Sequence, residues 1–284
     1  MPSFTNQATL SYRGNVTISN IVTGELVAVL SATKTALSER YGADDILTYV
    51  ISIVNSGPAP YTGLTMTDDL GAYNYGTGTL TPLTYVDGSL RYFVNGVLQA
   101  TPTPTADAPL TVPGIAVPAG GNALLIYETR VNSFAPLDTE STVTNTATLS
   151  GAGLTTPVQA ASTVNARAAA YLTIGKAVSP ATVAENGTLT YTFTIQNYGN
   201  TAAAETDNVT VSDTFSPILK AISVTYNGVA WTEGTQYTYN AATGAFATTA
   251  GQITVPAASL TRDAATGAVV VTPGISTLTV TGTV

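Results

Sequence analysis

The chain contains neither cysteine nor histidine. Without cysteine, no disulfide can stabilise the fold, and thiols give no indication of the redox compartment. Without histidine, the commonest metal ligand and general base is missing, and so are the Ser-His and Cys-His nucleophile pairs. The sequence therefore predicts no metal, no cofactor and no enzyme activity, apart from a single covalent reaction between side chains of the protein itself.

Charge is scarce as well. Charged residues make up 9% of the chain, and nine Lys and Arg stand against 17 Asp and Glu, for a net charge of -8. Phosphate binding needs clustered basic residues, so we expect no nucleic-acid partner. No apolar run is long enough to span a bilayer, and residues 1–25 lack the basic start and apolar core of a secretory signal. We therefore expect no membrane partner.

What the chain does contain is typical of strands. Thr, Ala, Val, Gly and Tyr recur in short alternating runs, and 44% of residues are hydrophobic. Alternation with a period of two and an abundance of β-branched residues indicate strands. The length of 284 residues suits two domains with separate cores. We predict an all-β extracellular protein.

An internal repeat defines the domains. The stretch SATKTALSERYGADDILTYVISIVNSG recurs as TIGKAVSPATVAENGTLTYTFTIQNYG, so that Lys34 matches Lys176. Further on, LTMTDDL matches VTVSDTF, which pairs Asp68 with Asp213, and GGNALLIYETRV matches GISTLTVTGTV. The predicted organisation is an N-terminal arm (1–25), a first β-sandwich domain (26–152), a linker (153–168) and a second β-sandwich domain (169–284).

The closing strand of the repeat is displaced. The first copy ends in STVTNTATLSG, whereas the similar string FTNQATLSY stands near the start of the chain. We predict that residues 3–12 are a donor strand that closes the second domain of a neighbouring molecule by β-augmentation. Such a contact is heterologous and yields a head-to-tail homopolymer. By its period of two, the inward face of the donor strand comprises Phe4, Asn6, Ala8, Leu10 and Tyr12.

Two alternatives stay open at this point. Residues 1–25 can instead form an extra strand on their own molecule, or the chain can be part of a longer repeat protein. The corresponding function is a monomeric adhesive or stalk module of a bacterial surface protein that binds host glycan or protein. A binding module stays monomeric in solution, and a fibre subunit does not.

Each domain also directs polar residues towards its core. Strand periodicity places one Lys, one Asp and one Asn inward in each copy: Lys34, Asp68 and Asn145 in the first, and Lys176, Asp213 and Asn6 in the second. A buried ammonium and carboxylate are costly unless they are paired and hydrogen-bonded. One interpretation is therefore a buried ion pair, satisfied by the Asn amide, that fixes strand register.

The other interpretation is an autocatalytic isopeptide bond. Burial favours a neutral Lys, which attacks the Asn side-chain amide and releases ammonia while the Asp shuttles protons. Lys34 would join Asn145 within one chain, assisted by Asp68. Lys176 would join Asn6 of the next subunit, assisted by Asp213. The sequence does not decide between the ion pair and the covalent bond.

The pattern resembles known surface-protein families. A first-strand Lys facing a last-strand Asn resembles the isopeptide domains of Gram-positive pilins and adhesins. The strings LTYTFTIQNYGN and VTNTATLSG resemble the bacterial conserved repeat domain known as domain of unknown function eleven. That resemblance implies tandem immunoglobulin-like β-sandwiches on a bacterial surface. The two-domain form also looks like the major subunits of clostridial spore appendages, which implies a spore or cell surface location.

Overall fold

The computed structural model describes residues 3–151 and 153–284, which fold into two compact units made almost entirely of β-strands. One unit comprises the chain up to Glu39, Asp44–Asn132 and Thr144–Val164, and the other comprises Arg40–Ala43, Ser133–Val143 and Asn165–Val284. The strands up to residue 166 are β1 (Ser3–Asn6), β2 (Thr9–Tyr12), β3 (Asn15–Ile18), β4 (Val22–Glu25), β5 (Leu30–Ala36), β6 (Arg40–Tyr41), β7 (Ile46–Asn55), β8 (Tyr61–Asp68), β9 (Tyr73–Tyr75), β10 (Gly78–Leu80), β11 (Leu83–Tyr85), β12 (Arg91–Val94), β13 (Val97–Leu98), β14 (Ala106–Asp107), β15 (Leu110–Val117), β16 (Asn122–Val131), β17 (Thr142–Ser150) and β18 (Val158–Ala166). The remaining strands are β19 (Leu172–Ser179), β20 (Thr188–Asn197), β21 (Ser212–Thr214), β22 (Lys220–Tyr226), β23 (Val229–Trp231), β24 (Tyr237–Asn240), β25 (Ala245–Thr248), β26 (Ser259–Arg262), β27 (Val269–Thr272) and β28 (Gly274–Thr283), with one 3-10 turn at Glu205–Asp207.

The first domain is an immunoglobulin-like sandwich of two sheets. One sheet has the order β13-β12-β16-β7-β5, with β11 also paired to β16, and the other has the order β14-β15-β8-β17-β18-β6. Buried and exposed residues alternate along the central strands, as in β7, where Leu47, Tyr49, Ile51 and Ile53 are buried. The inner faces of the two sheets therefore form the core.

The second domain repeats the first of these sheets strand for strand. Its order β23-β22-β28-β20-β19 matches β13-β12-β16-β7-β5 at every position. Its second sheet has the order β24-β25-β21, which corresponds to β14-β15-β8, and it has no further strand in the described part of the chain. The core between them includes Phe193, Phe215, Phe246 and Leu278. The predicted all-β fold with two β-sandwich domains is confirmed.

The two copies also share an Asn-x-Gly turn. Asn55 donates a hydrogen bond to the carbonyl oxygen of Ala59 (2.8 Å), and Asn197 donates one to that of Thr201 (2.7 Å). Each Asn also accepts the backbone N–H of the glycine two residues further on, at 3.0 and 2.9 Å. Both side chains are fully buried, so the amide satisfies turn backbone that water cannot reach.

The structure corrects the predicted linker. Within 153–168, β18 is a nine-residue strand that lies between β17 and β6 in the sheet. Its inward side chains, Ala160, Val164 and Ala166, are buried. Because two of these three side chains are alanines, their alternation gives little hydrophobic contrast in the sequence. The compact units also divide differently from the predicted 26–152, since 133–143 groups with the second unit.

The arm is a hairpin rather than a single strand followed by a polar stretch. β1 pairs with β4, and β2 pairs with β3, both antiparallel. Arg13 and Gly14 form the two-residue turn with φ of 47° and 81°, as the hairpin turn with two left-handed residues requires. Apart from the half-buried Gly24, every residue in these four strands is exposed. Within the described residues, no strand outside the hairpin pairs with it.

Candidate functional site

The first Lys-Asp pair bridges the two sheets of the first domain. Lys34 lies on β5 in one sheet, and Asp68 ends β8 in the other. The Nζ atom of Lys34 donates to Oδ2 of Asp68 at 2.5 Å, and both side chains are 0% exposed. Since β5 and β8 alternate inward and outward residues, this pair lies between the inner faces of the two sheets.

Tyr127 on β16 is a second side-chain hydrogen-bond donor to the Asp68 carboxylate. Its hydroxyl donates to the same Oδ2 of Asp68 at 2.5 Å, and the backbone N–H of Leu70 donates to Oδ1 at 3.0 Å. Asp68 thus accepts three hydrogen bonds, of which one comes from a cation. Tyr127 was not predicted as part of the site, although the alternation along NALLIYETRV places it on the inward face beside Leu125 and Thr129.

Burial controls the ionisation of this cluster. It lowers the pKa of Lys34, against the opposing charge and hydrogen bond of Asp68, and it raises the pKa of Tyr127, which the charge of Asp68 raises further. The Nζ atom of Lys34 also lies 4.8 Å from the ring centroid of Tyr49. A lowered amine pKa makes the neutral, nucleophilic form of Lys34 more accessible than it is in water.

Asn145 lies on the same inner face. In the pairing of β17 with β8, Ala147 lies opposite Asp68, and Asn145 is two residues before Ala147 on the same side of β17. Its side chain is 0% exposed, and neither Nδ2 nor Oδ1 makes a hydrogen bond within the described residues. Its amide is close enough to lower the pKa of Tyr127, without hydrogen-bond geometry. A buried amide in this state is rare in folded proteins.

The second Lys-Asp pair repeats the first but stays open to water. Lys176 on β19 donates from Nζ to Oδ2 of Asp213 on β21. Their side chains are 42% and 18% exposed, against 0% for both members of the first pair. The Nζ atom of Lys176 lies 4.7 Å from the ring centroid of Tyr191 and 5.6 Å from that of Phe215. The second pair therefore sits on an aromatic floor with a solvent-facing side.

The two carboxylates have different hydrogen-bond partners. Tyr127 lies opposite Tyr49 in the first domain, and Val280 lies opposite Tyr191 in the second. Asp213 thus has an aliphatic neighbour at the position from which a tyrosine hydroxyl reaches Asp68. Its Oδ1 accepts the backbone N–H of Thr214 at 2.8 Å.

The inner face of β19 is uncovered beside β21, and we call this open, apolar side of the second domain the groove. Ile174 and Val178, which flank Lys176 on the same face of β19, are 56% and 43% exposed. β8 pairs with β15 on one side and with β17 on the other, whereas β21 pairs only with β25 within the described residues. The groove therefore lies where β17 covers the core of the first domain.

The predicted donor-strand residues lie in the exposed hairpin. Phe4 is 49%, Leu10 63% and Tyr12 60% exposed. Asn6 lies opposite Val22, and its bond to Lys176 stays a prediction about two copies of the chain. The Lys34, Asp68 and Asn145 cluster, by contrast, comes together within one domain.

Metal-binding groups and membrane-spanning helices are both absent from the described residues. Across 3–151 and 153–284, no group of three or more acidic side chains is placed to hold a metal ion. In the same residues, no helix is long and apolar enough to cross a membrane.

The fold and the paired polar cores describe a two-domain β-sandwich protein, and the chain is similar in fold to several bacterial surface proteins. The pilus backbone RrgB from Streptococcus pneumoniae is 10% identical at a TM-score of 0.35, with 87% of this chain and 55% of that chain covered. The major pilin SpaD from Corynebacterium diphtheriae is 12% identical at 0.35, with 78% and 49% covered. The collagen-binding domain of the Erysipelothrix rhusiopathiae surface protein RspB is 17% identical at 0.28, with 58% and 60% covered.

The chain spans about half the length of the pilus proteins that it matches, 55% of RrgB and 49% of SpaD. No protein-family model matches it, and no curated protein matches it. Likenesses this distant assign neither a family nor a function, and the resemblance to domain of unknown function eleven stays a prediction.

Proposed function

We propose that the chain is the structural subunit of an extracellular filament, in which the N-terminal arm of one copy closes the second domain of the next. One observation carries the proposal. Among the residues that the structure describes, the sheet that continues from β8 to β17 in the first domain stops at β21 in the second, and the matching Lys side chain is 42% exposed instead of 0%. An unpaired strand beside an apolar groove is a ready site for strand addition.

The arm carries the sequence that fills this position in the first domain. Thr-Asn-x-Ala-Thr-Leu-Ser occurs at 5–11 and again at 144–150, inside β17. With the register of β17 on β8, Ala8 would lie opposite Asp213, as Ala147 lies opposite Asp68. Asn6 would then take the place of Asn145. The arm is the proposed occupant because the same string, in β17, already occupies the equivalent place in the first domain.

Apolar burial would supply the association energy. Phe4, Leu10 and Tyr12 are exposed in the arm, whereas Val143 and Leu149 of β17 are 3% and 1% exposed. Each large side chain buried contributes roughly 1.5 to 3 kcal/mol, before the cost of ordering the arm and joining two molecules is subtracted. Because donor and groove are different surfaces, the contact repeats and builds an open head-to-tail polymer.

The same contact would bring together an isopeptide site from two subunits, equivalent to the site within the first domain. In the reaction proposed for the first domain, the neutral Nζ atom of Lys34 attacks Cγ of Asn145. A C–N bond forms, and the amide nitrogen leaves as ammonia. Asp68 takes a proton from the attacking amine and returns it to the leaving group. The lowered pKa of Lys34 and the unsatisfied amide of Asn145 support this reaction. Lys176, Asp213 and Asn6 would react in the same way between subunits.

Electron microscopy tests the polymer. The full chain is compared with a variant lacking residues 2–24, and we expect filaments only with the full chain. Monomers in both samples would refute the fibre function and favour the alternative, a monomeric adhesive module. Immunogold labelling of spores and vegetative cells then locates the filament.

Intact mass tests the covalent bonds separately. The first domain is expected to lose the mass of one ammonia, and Lys34→Met should abolish this loss. Polymers that survive boiling in detergent should disappear with Lys176→Met but persist with Lys220→Met, which changes the third lysine of the chain. An unshifted mass would leave the buried ion pair as the function of the cluster, without affecting the strand-exchange proposal.

A further inference from the structure

The second domain lacks two strand positions, not one. In the first domain, the order β14-β15-β8 continues into β17 and then β18. In the second domain, the corresponding order β24-β25-β21 has no further strand within the described residues. A single donor strand would fill the place of β17 and leave that of β18 empty. The new edge of the sheet would then be the donor strand itself.

The arm already has the form of the missing pair. β17 and β18 are consecutive neighbouring strands, and β1–β2 and β3–β4 form the two sides of an antiparallel hairpin. In both, the first side carries Thr-Asn-x-Ala-Thr-Leu-Ser. The edge of β1 and β2 that faces away from their partners pairs with no other strand among the described residues, so it is available to β21 without opening the hairpin.

One cross-strand pair is the same in the two hairpins. Thr144 of β17 and Thr163 of β18 are joined through their hydroxyl groups at 2.8 Å on the exposed face. In the arm, Thr5 occupies the matching place in the repeated string and lies directly opposite Thr23. Both hairpins thus place a Thr-Thr pair on the outer face, immediately before the Asn.

The next cross-strand pair, on the inner face, has a similar total side-chain size in the two hairpins but differs in residue type. The residues adjoining Thr144 and Thr163 are Val143 and Val164, which are 3% and 0% exposed. In the arm, the adjoining residues are Phe4 and Gly24, which lie opposite each other. The Phe4 ring covers Gly24 so closely that a Cβ there would lie 2.4 Å from Cζ of Phe4. One ring over one glycine replaces two valines, and separating the strands would break this packing.

We propose that the donated unit is the whole hairpin, residues 3–25, which enters the neighbouring second domain as one body. β1 and β2 take the place of β17, and β3 and β4 take the place of β18. This inference rests on the proposed filament function and specifies its partner segment. It also predicts that the arm keeps its hydrogen bonds during assembly, so that new ones form only between β21 and the outer edge of β1 and β2.

A disulfide lock across the hairpin tests this. The chain has no cysteine of its own, and Thr5→Cys with Thr23→Cys places two thiols on directly opposite residues near the open end. A second lock, Ser11→Cys with Val16→Cys, lies next to the turn. Opposite residues of an antiparallel pair are close to disulfide spacing. Each full-length variant is oxidised when dilute, checked by mass for an intramolecular bond, and compared with its reduced form and with Thr5→Cys alone.

We expect oxidised and reduced forms of both locks to assemble at the same rate. If the oxidised forms stay monomeric while the reduced forms assemble, the strands must separate, and the hairpin inference is overturned while the filament survives. If the unsubstituted chain forms no filament, the proposed function itself fails. Thr144→Cys with Thr163→Cys is the matched lock within one domain and should leave the melting temperature equal or higher when oxidised.

Discussion

Leu10→Ala should weaken assembly without weakening the subunit. Leu10 is 63% exposed in the free arm, and Leu149, at the same place in the repeated string of β17, is 1% exposed. The Leu10 side chain is therefore mostly exposed in the free subunit. Most of its burial would come from docking in the filament.

The expected loss follows from that difference. Complete burial of a leucine is worth about 1.5 to 3 kcal/mol, and Leu10 would bury roughly two thirds of its side chain on docking. Removing it should cost the contact about 1 to 2 kcal/mol, or about a 5- to 30-fold rise in the critical concentration for assembly. A cavity left in the groove would move the result towards the upper end.

The assay needs a reversible polymer. Leu10→Ala is therefore combined with Asn6→Ser, which removes the amide that would lock the contact, and the critical concentration is read from sedimentation. Thr9→Ala in the same background is the control, because Thr9 lies on the other face of the arm. Equal critical concentrations for both variants would refute donor-strand burial. A lowered melting temperature of the Leu10→Ala monomer would show instead that the arm packs on its own molecule.

Two further predictions concern the paired cores. Lys34→Met leaves the buried Asp68 carboxylate without its cation and should destabilise the first domain by about 3 to 5 kcal/mol, whereas Lys176→Met at the open site should cost the monomer about 1 kcal/mol or less; equal shifts in thermal melting would contradict this. Tyr127→Phe removes a buried hydrogen bond and should cost about 1 to 3 kcal/mol. Burial raises the pKa of Tyr127 above its ordinary value of 10.0, so the unfolded chain loses this proton at a lower pH than the folded protein does. The stability of the unsubstituted protein relative to Tyr127→Phe should therefore fall as the pH rises past 10.0. Denaturant titrations at several pH values measure this difference in stability, and a constant difference would refute the prediction.

The sequence predicts the sandwich and the paired cores because strand periodicity is strong there. Asp68 follows Leu64 and Met66, and Lys34 follows Leu30 and Ala32, at alternate positions, so their inward direction is readable. Periodicity does not give which inward residues meet, and Tyr127 was therefore not distinguished from an ordinary core tyrosine. β18 was missed because Ala160 and Ala166 contrast little with their outward neighbours. The arm was not recognised as a hairpin because its turn is Arg13-Gly14 rather than one of the commoner Asn-Gly or Asp-Gly turns.

The open Lys-Asp pair also explains how a strand with so regular a pattern could dock in one register. In the free subunit, water solvates Lys176 and Asp213, which are 42% and 18% exposed, so the charges impose little desolvation cost there. Docking would bury them, and only the register that brings Asn6 beside them supplies an amide. A slip by two residues keeps the apolar face inward but replaces Asn6 with Phe4 or Ala8, which can neither hydrogen-bond the pair nor react with it. Apolar burial alone scarcely separates these registers, because the face stays the same. The buried charges of Lys176 and Asp213 would separate the registers, whether the contact ends as an ion pair or as a covalent bond.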